Sequence, residues 1–342
     1  MESKKKKIVL SAAAALVVVV ALFYYLFFAS FSSKGETSYV YIRQGDGIDS
    51  VYARLDRAAS PSQMLGFKLL ASCTGYANKI RAGRYGITPS IGSLRLFRNL
   101  RNGRQTPVEL TVPIVRTKEK LAAKLAEKLE PDSTDFAKCF SDEKLCEAFD
   151  CDTATLPCLF IPNTYEIYWD VTPEQLLKRM KKESDAFWNK ERKRKAAEAG
   201  LSPFEVITLA SIVEQETANN AEKPMIAGMY INRLRQGMKL KADPTVKFAA
   251  KRFELRRVGG DLLNTDSPYN TYKYRGLPPG PICIPSLASI NAVLNFAHHN
   301  YLFMCAKEDF SGTHNFAATG EEHMQNAKKY ADALNKKGIE IK

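Results

Sequence analysis

Histidine is scarce in this chain. There are four in 342 residues, His298, His299, His314 and His323. None sits in an H-E-x-x-H pair, which argues against a metallohydrolase. The seven cysteines contain no C-x-x-C spacing, and no histidine lies among the four that cluster, Cys139, Cys146, Cys151 and Cys158. No zinc site and no cofactor are therefore expected. The odd count requires at least one free thiol or an intermolecular partner. One or two disulfides in the cluster, or simply small buried apolar side chains, both fit, and the pairing stays open. The net charge of +13 is high, yet the basic run Arg192-Lys193-Arg194-Lys195 has no interleaved aromatics on which bases could stack, so nucleic acid is not an expected partner. A solvated helix face explains that run, and solubility with attraction to anionic lipid explains the charge. Internal repeats are absent.

Long apolar runs are also absent, with one exception. Ile8 to Phe31 carries no charge and follows Lys4, Lys5, Lys6 and Lys7. At ~1.5 Å per residue such a helix crosses a hydrocarbon layer of ~30 Å. Phe23, Tyr24, Tyr25, Phe27 and Phe28 gather at its far end, where an interfacial belt would sit. The lysines predict a cytoplasmic N-terminus, with everything after Phe31 outside. A cleaved signal peptide is the competing reading, but Phe28-Ala29-Ser30-Phe31 is a poor cleavage site and the run is long for one. The expectation is a single-pass protein of the cytoplasmic (inner) membrane.

The remaining chain suits two domains. The expected division is a cytoplasmic tip and transmembrane helix at 1–31, a linker at 32–37, a small module at 38–112 and a larger domain at 113–342. The fold class expected is α+β. In the module, a strand at Tyr39–Ile42, helices over Ile48–Leu55 and from Pro61 to about Leu70, and a returning strand within Ile80–Ile87 follow from composition and spacing. A helix over Ser90–Leu100 and a strand at Val108–Val112 complete it. Beyond it, helices are predicted over Lys118–Leu129, Pro173 to about Lys195, from Ser202-Pro203-Phe204-Glu205 (a capping box), over Lys223–Gln236, Ser286–Ala297 and Glu321–Asn335. Tyr301–Met304 reads as a strand. Asp243 to Gly280 is rich in turn residues and lacks long periodic runs.

The helix from Pro203 carries Val206, Ile207, Leu209, Ala210, Ile212 and Val213, apolar over most of its circumference, so it is expected at the centre of its domain. Glu214 and Glu216 come near its end. Two residues apart at ~100° each, they project about 200° apart and cannot form one carboxylate pair. Each borders the apolar stripe, where partial desolvation raises a carboxyl pKa and makes it a usable general acid. Solvated or salt-bridged helix-end glutamates are the alternative, which periodicity alone favours.

The order of motifs changes that balance. Ala210-Ser211-Ile212-Val213-Glu214-Gln215-Glu216-Thr217 is followed by Asn232-Arg233-Leu234, Gly237-Met238-Lys239-Leu240 and Ala242-Asp243-Pro244-Thr245-Val246. Then come Ser267-Pro268-Tyr269-Asn270-Thr271-Tyr272 and Gly276-Leu277-Pro278-Pro279-Gly280-Pro281-Ile282. Phe160-Ile161-Pro162-Asn163-Thr164-Tyr165-Glu166 lies upstream, and Gly312-Thr313-His314-Asn315-Phe316 with Glu322-His323 downstream. Over nearly the whole chain this resembles the MltG (YceG-like) family of endolytic murein transglycosylases. The departures, Pro157-Cys158 and Ile284-Pro285-Ser286, lie in loops.

The resemblance implies a LysM-like small module, a larger mixed α+β catalytic domain whose central helix bears the acid, and glycan strands of peptidoglycan as substrate. It also implies action at the cytoplasmic membrane beside wall synthases (penicillin-binding proteins). The implied reaction cleaves the MurNAc–GlcNAc β-1,4 bond and closes a 1,6-anhydro ring. Matching the motif puts the catalytic role on Glu214, although geometry does not separate it cleanly from Glu216. Glu216, Asp243, Thr245, Tyr269, Asn270, Tyr272 and His314 are the expected substrate-binding residues. Asp243 could instead close an Asx-turn, and His314 could make a structural hydrogen bond. A scaffold without catalysis and a hydrolytic muramidase are the alternatives, separable by their products.

Overall fold

The computed structural model describes residues 2–32, 35–255 and 258–337. Met1, Ser33, Lys34 and positions 338–342, which fall in the expected tip, linker and C-terminal end, lie outside the described residues. The chain divides into two units. The first holds Met1–Leu110, Lys128–Glu130 and Glu166–Val171, and the second holds Thr111–Glu127, Pro131–Tyr165 and Thr172–Lys342. Both mix helix and strand, as the α+β expectation requires.

In the first unit, α1 (Glu2–Phe28) contains a stretch, Lys4–Phe28, long and apolar enough to cross a membrane, with a mean hydropathy of 2.5. The helix stops three residues short of the end of the apolar run. Phe31 is fully buried, with its ring 6.2 Å from that of Phe67. Its N–H donates to Ile91 O at 2.7 Å and its carbonyl accepts from Ser60 N at 3.0 Å. Phe31 is thus a core residue of this unit rather than the last residue of a span, because backbone groups past a helix end need partners. β1 (Ser38–Ile42) leads to α2 (Ile48–Asp56) and α3 (Pro61–Cys73), and β2 (Gly83–Ile87) returns antiparallel to β1 with Val40 opposite Tyr85. Alternation along the pair turns Val40, Ile42, Tyr85 and Ile87 inward. α4 (Ser93–Asn102) ends at Gly103, whose left-handed backbone (φ 67°) closes the last turn onto Asn99 O and Leu100 O. β3 (Val108–Thr111) follows.

In the second unit come α5 (Lys118–Ala126), α6 (Ser133–Phe140) and α7 (Glu143–Ala148), the last two unforeseen because each is barely two turns long. Asp132 and Asp142 cap them by accepting backbone N–H bonds. The clustered cysteines Cys139, Cys146, Cys151 and Cys158 are all free, so the disulfide option falls; Cys146 and Cys158 are buried, and the Cys151 thiol donates to Cys146 O at 3.4 Å. β4 (Thr164–Ile167) follows. The single helix expected from Pro173 to Lys195 is two, α8 (Pro173–Phe187) and α9 (Lys190–Ala199). Asn189 breaks it by capping the second helix, accepting from Arg192 N at 2.9 Å.

α10 (Pro203–Glu216) starts on the anticipated Ser202/Glu205 capping box and is buried all round from Val206 to Val213. It packs among α11 (Lys223–Arg235), α12 (Asp243–Ala249) and α13 (Leu287–Leu294). α12 was hidden in the turn-rich stretch because it is only seven residues long. β5 (Phe303–Ala306) and β6 (His314–Ala317) form an antiparallel pair, and α14 (Gly320–Lys336) ends the described chain. Gly228 in α11 lets the segment before β5 approach: a Cβ there would meet Ala297 O at 2.3 Å and His299 Nε2 at 2.7 Å.

Candidate active site

The last turn of α10 sends Glu214 and Glu216 into different surroundings. Glu214 Oε2 pairs with Lys223 Nζ at 3.2 Å and accepts from Ser286 N at 3.1 Å, from Ser286 Oγ, and from Ser289 Oγ at 2.5 Å. Its side chain is 15% exposed and that of Lys223 only 3%. Burial alone would raise its pKa, but the Ser286 and Ser289 hydrogen bonds and the Lys223 charge together hold it below the usual carboxylate value. The desolvation expected at this position is present, but the rise in pKa expected from it is outweighed. Through these contacts Glu214 joins α10 to the first turns of α11 and α13, the last a place where the helix dipole welcomes an anion.

Glu216 lies in a cleft of about 330 Å³ lined also by Tyr230, Arg233, Asp243, Tyr272 and His314. Its Oε1 accepts from Tyr230 Oη at 2.6 Å. Burial pushes its pKa up to about 7 against that hydrogen bond; the Asp243 charge adds to the rise, and His314 and Lys247 oppose it. Here the expectation of a raised carboxyl holds.

Asp243 opens α12, and its Oδ1 accepts from Tyr272 Oη at 2.6 Å. His314 is held from both sides of its residue by Glu222: its N–H donates to Oε1 at 2.6 Å and its Nδ1 lies 2.9 Å from Oε2. Arg233, almost fully buried, donates to Leu302 O at 2.6 Å and Leu240 O at 2.5 Å, tying α11 to the cleft wall.

The structure therefore brings Glu216, Asp243, Tyr272 and His314 together. Three other expected residues lie elsewhere. Thr245 is fully buried and bonds Ala242 O at 2.6 Å and Thr271 Oγ1 at 2.8 Å. Asn270, also fully buried, donates to Leu263 O at 2.9 Å and Thr265 O at 2.8 Å and accepts from Tyr272 N at 3.0 Å. Both set the loop that aims Tyr272. Tyr269 packs against Phe248 with the rings tilted at 45° and their centroids 4.7 Å apart, and it lines a different cleft. Tyr230 and Glu222 escaped the sequence reading. Tyr230 lies in an apolar helix where a tyrosine reads as core, and Glu222 finds its partner 92 residues away. The proline-rich loop is fixed to α10 by Ile282 N–H donating to Ser211 Oγ at 3.0 Å.

A carboxyl whose proton affinity is raised by burial, with an aspartate and a histidine in one open cleft, can donate and retrieve a proton beside a stabilised positive charge.

A family model described as the YceG-like family matches residues 40–329. An endolytic murein transglycosylase of Bacillus subtilis (strain 168) is 35% identical over 171 residues, covering 49% of this chain and 46% of that protein. One of Streptococcus pneumoniae serotype 2 (strain D39) is 26% identical, covering 86% of this chain and 58% of that protein. The chain thus spans about half the length of the curated relatives it matches. A crystal structure of a YceG-like protein from Listeria monocytogenes aligns with a TM-score of 0.55 and 26% identity, over 85% of this chain and 99% of that one.

Proposed function

This chain belongs to the YceG-like family, and on that premise we propose that it is a membrane-anchored endolytic murein transglycosylase whose acid is Glu216. The observation that carries the proposal is a carboxyl raised to about 7 in an open cleft beside Asp243. At neutral pH about half of such groups hold the proton that a leaving glycosidic oxygen needs. The motif match implied Glu214 for this role. Its ion pair with Lys223 and its lowered pKa favour Glu216 over it as the proton donor.

In the proposed reaction Glu216 protonates the oxygen of the MurNAc–GlcNAc β-1,4 bond as that bond breaks. Positive charge develops at C1, and the Asp243 carboxylate, oriented by Tyr272, steadies it. Glu216, now a carboxylate, takes the proton from the C6 hydroxyl as the oxygen closes onto C1. The products are a 1,6-anhydroMurNAc end and a GlcNAc hydroxyl. The proton is returned, and no water is consumed. His314, fixed by Glu222, faces the same cleft and serves to bind sugar hydroxyls.

The rest of the chain fits this reading. The strand–helix–helix–strand order of Ser38 to Ile87 supports a LysM-like module at 38–112 ahead of a catalytic domain at 113–342. α1, preceded by Lys4 to Lys7, supports an inner-membrane anchor with its N-terminus inside, holding the cleft where new strands emerge beside wall synthases.

One observation favours a second reading. Asp243 gives the cleft a second carboxylate, and a pair is what hydrolytic glycosidases use. A muramidase would give reducing ends. Mass spectrometry of products from purified glycan in ¹⁸O-water decides: anhydro ends without label support the transglycosylase, and labelled reducing ends establish the muramidase. Mixed-length fragments support endolytic cutting; disaccharides alone would refute it.

A further inference from the structure

A second cleft in the same unit, of about 310 Å³, takes no part in the chemistry above. Its lining holds three cations, Arg116, Lys118 and Lys251, against one acid, Glu119. Among the described residues none of the three cations lies within ion-pair distance of a carboxylate. Arg116 donates to Gln215 Oε1 at 2.9 Å and Phe253 O at 3.3 Å, and Lys118 to Thr153 O at 2.8 Å and Phe140 O at 3.4 Å. Those hydrogen-bond partners are neutral and fix the side chains; Glu119 and Asp152 are the carboxylates that feel the Lys118 charge, and Glu119 also feels that of Lys251. Phe248, Phe253 and Tyr269 supply an aromatic wall; the Arg116 guanidinium lies 5.4 Å from the Phe253 ring centre. A small hollow shares Arg116, Phe248 and Phe253 with this cleft. It is also lined by Gln215 and Pro244, the sequence neighbours of Glu216 and Asp243.

We infer that this cleft binds the carboxylate-bearing stem peptide carried by the substrate strand, so that the enzyme reads the peptide as well as the sugar. The inference rests on wall glycan being the substrate. Its chemistry is that of a short peptide. Free carboxylates meet Arg116, Lys118 and Lys251, and the methyl groups and chain methylenes lie on the aromatic wall. The hollow lined by Gln215 and Pro244 sits one residue along the chain from Glu216 and Asp243, which places the peptide site next to the segments that carry the Glu216 cleft, where the sugar that bears the peptide is cut. Tyr269 belongs to this recognition rather than to sugar binding.

The test uses the full chain in detergent and the probe L-Ala-γ-D-Glu-L-Lys-D-Ala, titrated calorimetrically. Wild type should bind it, and Lys251→Glu, an exposed charge reversal, should bind at least ~tenfold more weakly. An unrelated acidic tetrapeptide should bind far more weakly than the probe. The ratio of kcat/KM on peptide-bearing to amidase-stripped strands should exceed one for wild type and fall in Lys251→Glu. A ratio of one with no probe binding overturns the inference while leaving the proposed activity intact. Equal binding of both peptides also overturns it, as charge attraction alone. If no strand is cut, yet the probe binds and Lys251→Glu abolishes binding, the cleft stands as a peptide site and it is the proposed reaction that fails.

Discussion

Glu214 and Glu216 stand two residues apart on one helix, and their surroundings divide the work between them. One carboxylate meets a buried ammonium, two hydroxyls and a backbone N–H; the other meets a phenol and a second carboxylate. The first set of partners fixes a charge; around Glu216 burial makes charge costly, with the Asp243 charge adding to that cost and the Tyr230 hydrogen bond opposing it. A helix end can therefore hold two carboxyl groups in opposite electrostatic surroundings side by side, with helix periodicity keeping them apart.

The sharpest way to break this comparison is to exchange carboxyl for amide at each position. Glu216→Gln should lower turnover by about 10²–10⁴-fold, since amide matches carboxyl in shape but carries no transferable proton. Near-normal turnover in that variant, with Glu214→Gln inactive but stably folded, would return the acid role to Glu214. Glu214→Gln should instead cost about 3 kcal/mol of stability, because it leaves the buried Lys223 ammonium unpaired. Denaturant unfolding at pH 7 checks this, and a loss under about 0.5 kcal/mol would remove Glu214 as the anchor.

The two sites should also respond to pH with opposite sign. Glu216 has a folded pKa above its unfolded value. Its contribution to stability is complete below about 4.5 and is lost as pH rises through about 7. Glu214 has a folded pKa below its unfolded value, so its contribution is present above that value and is lost as pH falls through the lowered one. Relative to wild type, Glu216→Gln should thus have a higher Tm at pH 8 than at pH 5, and Glu214→Gln the reverse trend. Parallel curves for the two variants would erase the distinction.

Smaller changes should tune the acid. Turnover should fall with rising pH above about 7 as Glu216 loses its proton. Tyr230→Phe removes the hydrogen bond that lowers this pKa and should move the falling limb upward. Asp243→Asn removes the charge that raises it and should move the limb downward, by up to about one unit in either case. Shifts in the same direction would mean that a different group controls the limb.

Much of this molecule is legible in its residues. The apolar α1, the Ser202/Glu205 capping box, the antiparallel return of Gly83–Ile87 and the apolar girth of α10 all follow from local spacing and propensity. So does the ~200° separation of the two glutamates, which is helix geometry alone. The ordered motifs carry the family. The short helices α6, α7 and α12 left too little periodicity to detect, and the break at Asn189 turned on one capping side chain in an otherwise continuous helical pattern.

Tertiary structure alone decided what surrounds each glutamate, which expected site residues share a cleft, and that Phe31 turns into a core. The reason is the range of the interactions. Ser286 and Ser289 reach Glu214 from more than seventy residues away, Tyr272 reaches Asp243 from 29, and Glu222 reaches His314 from 92. Sequence fixes which groups can ionise; the partners that set where each one does so arrive only when distant segments pack.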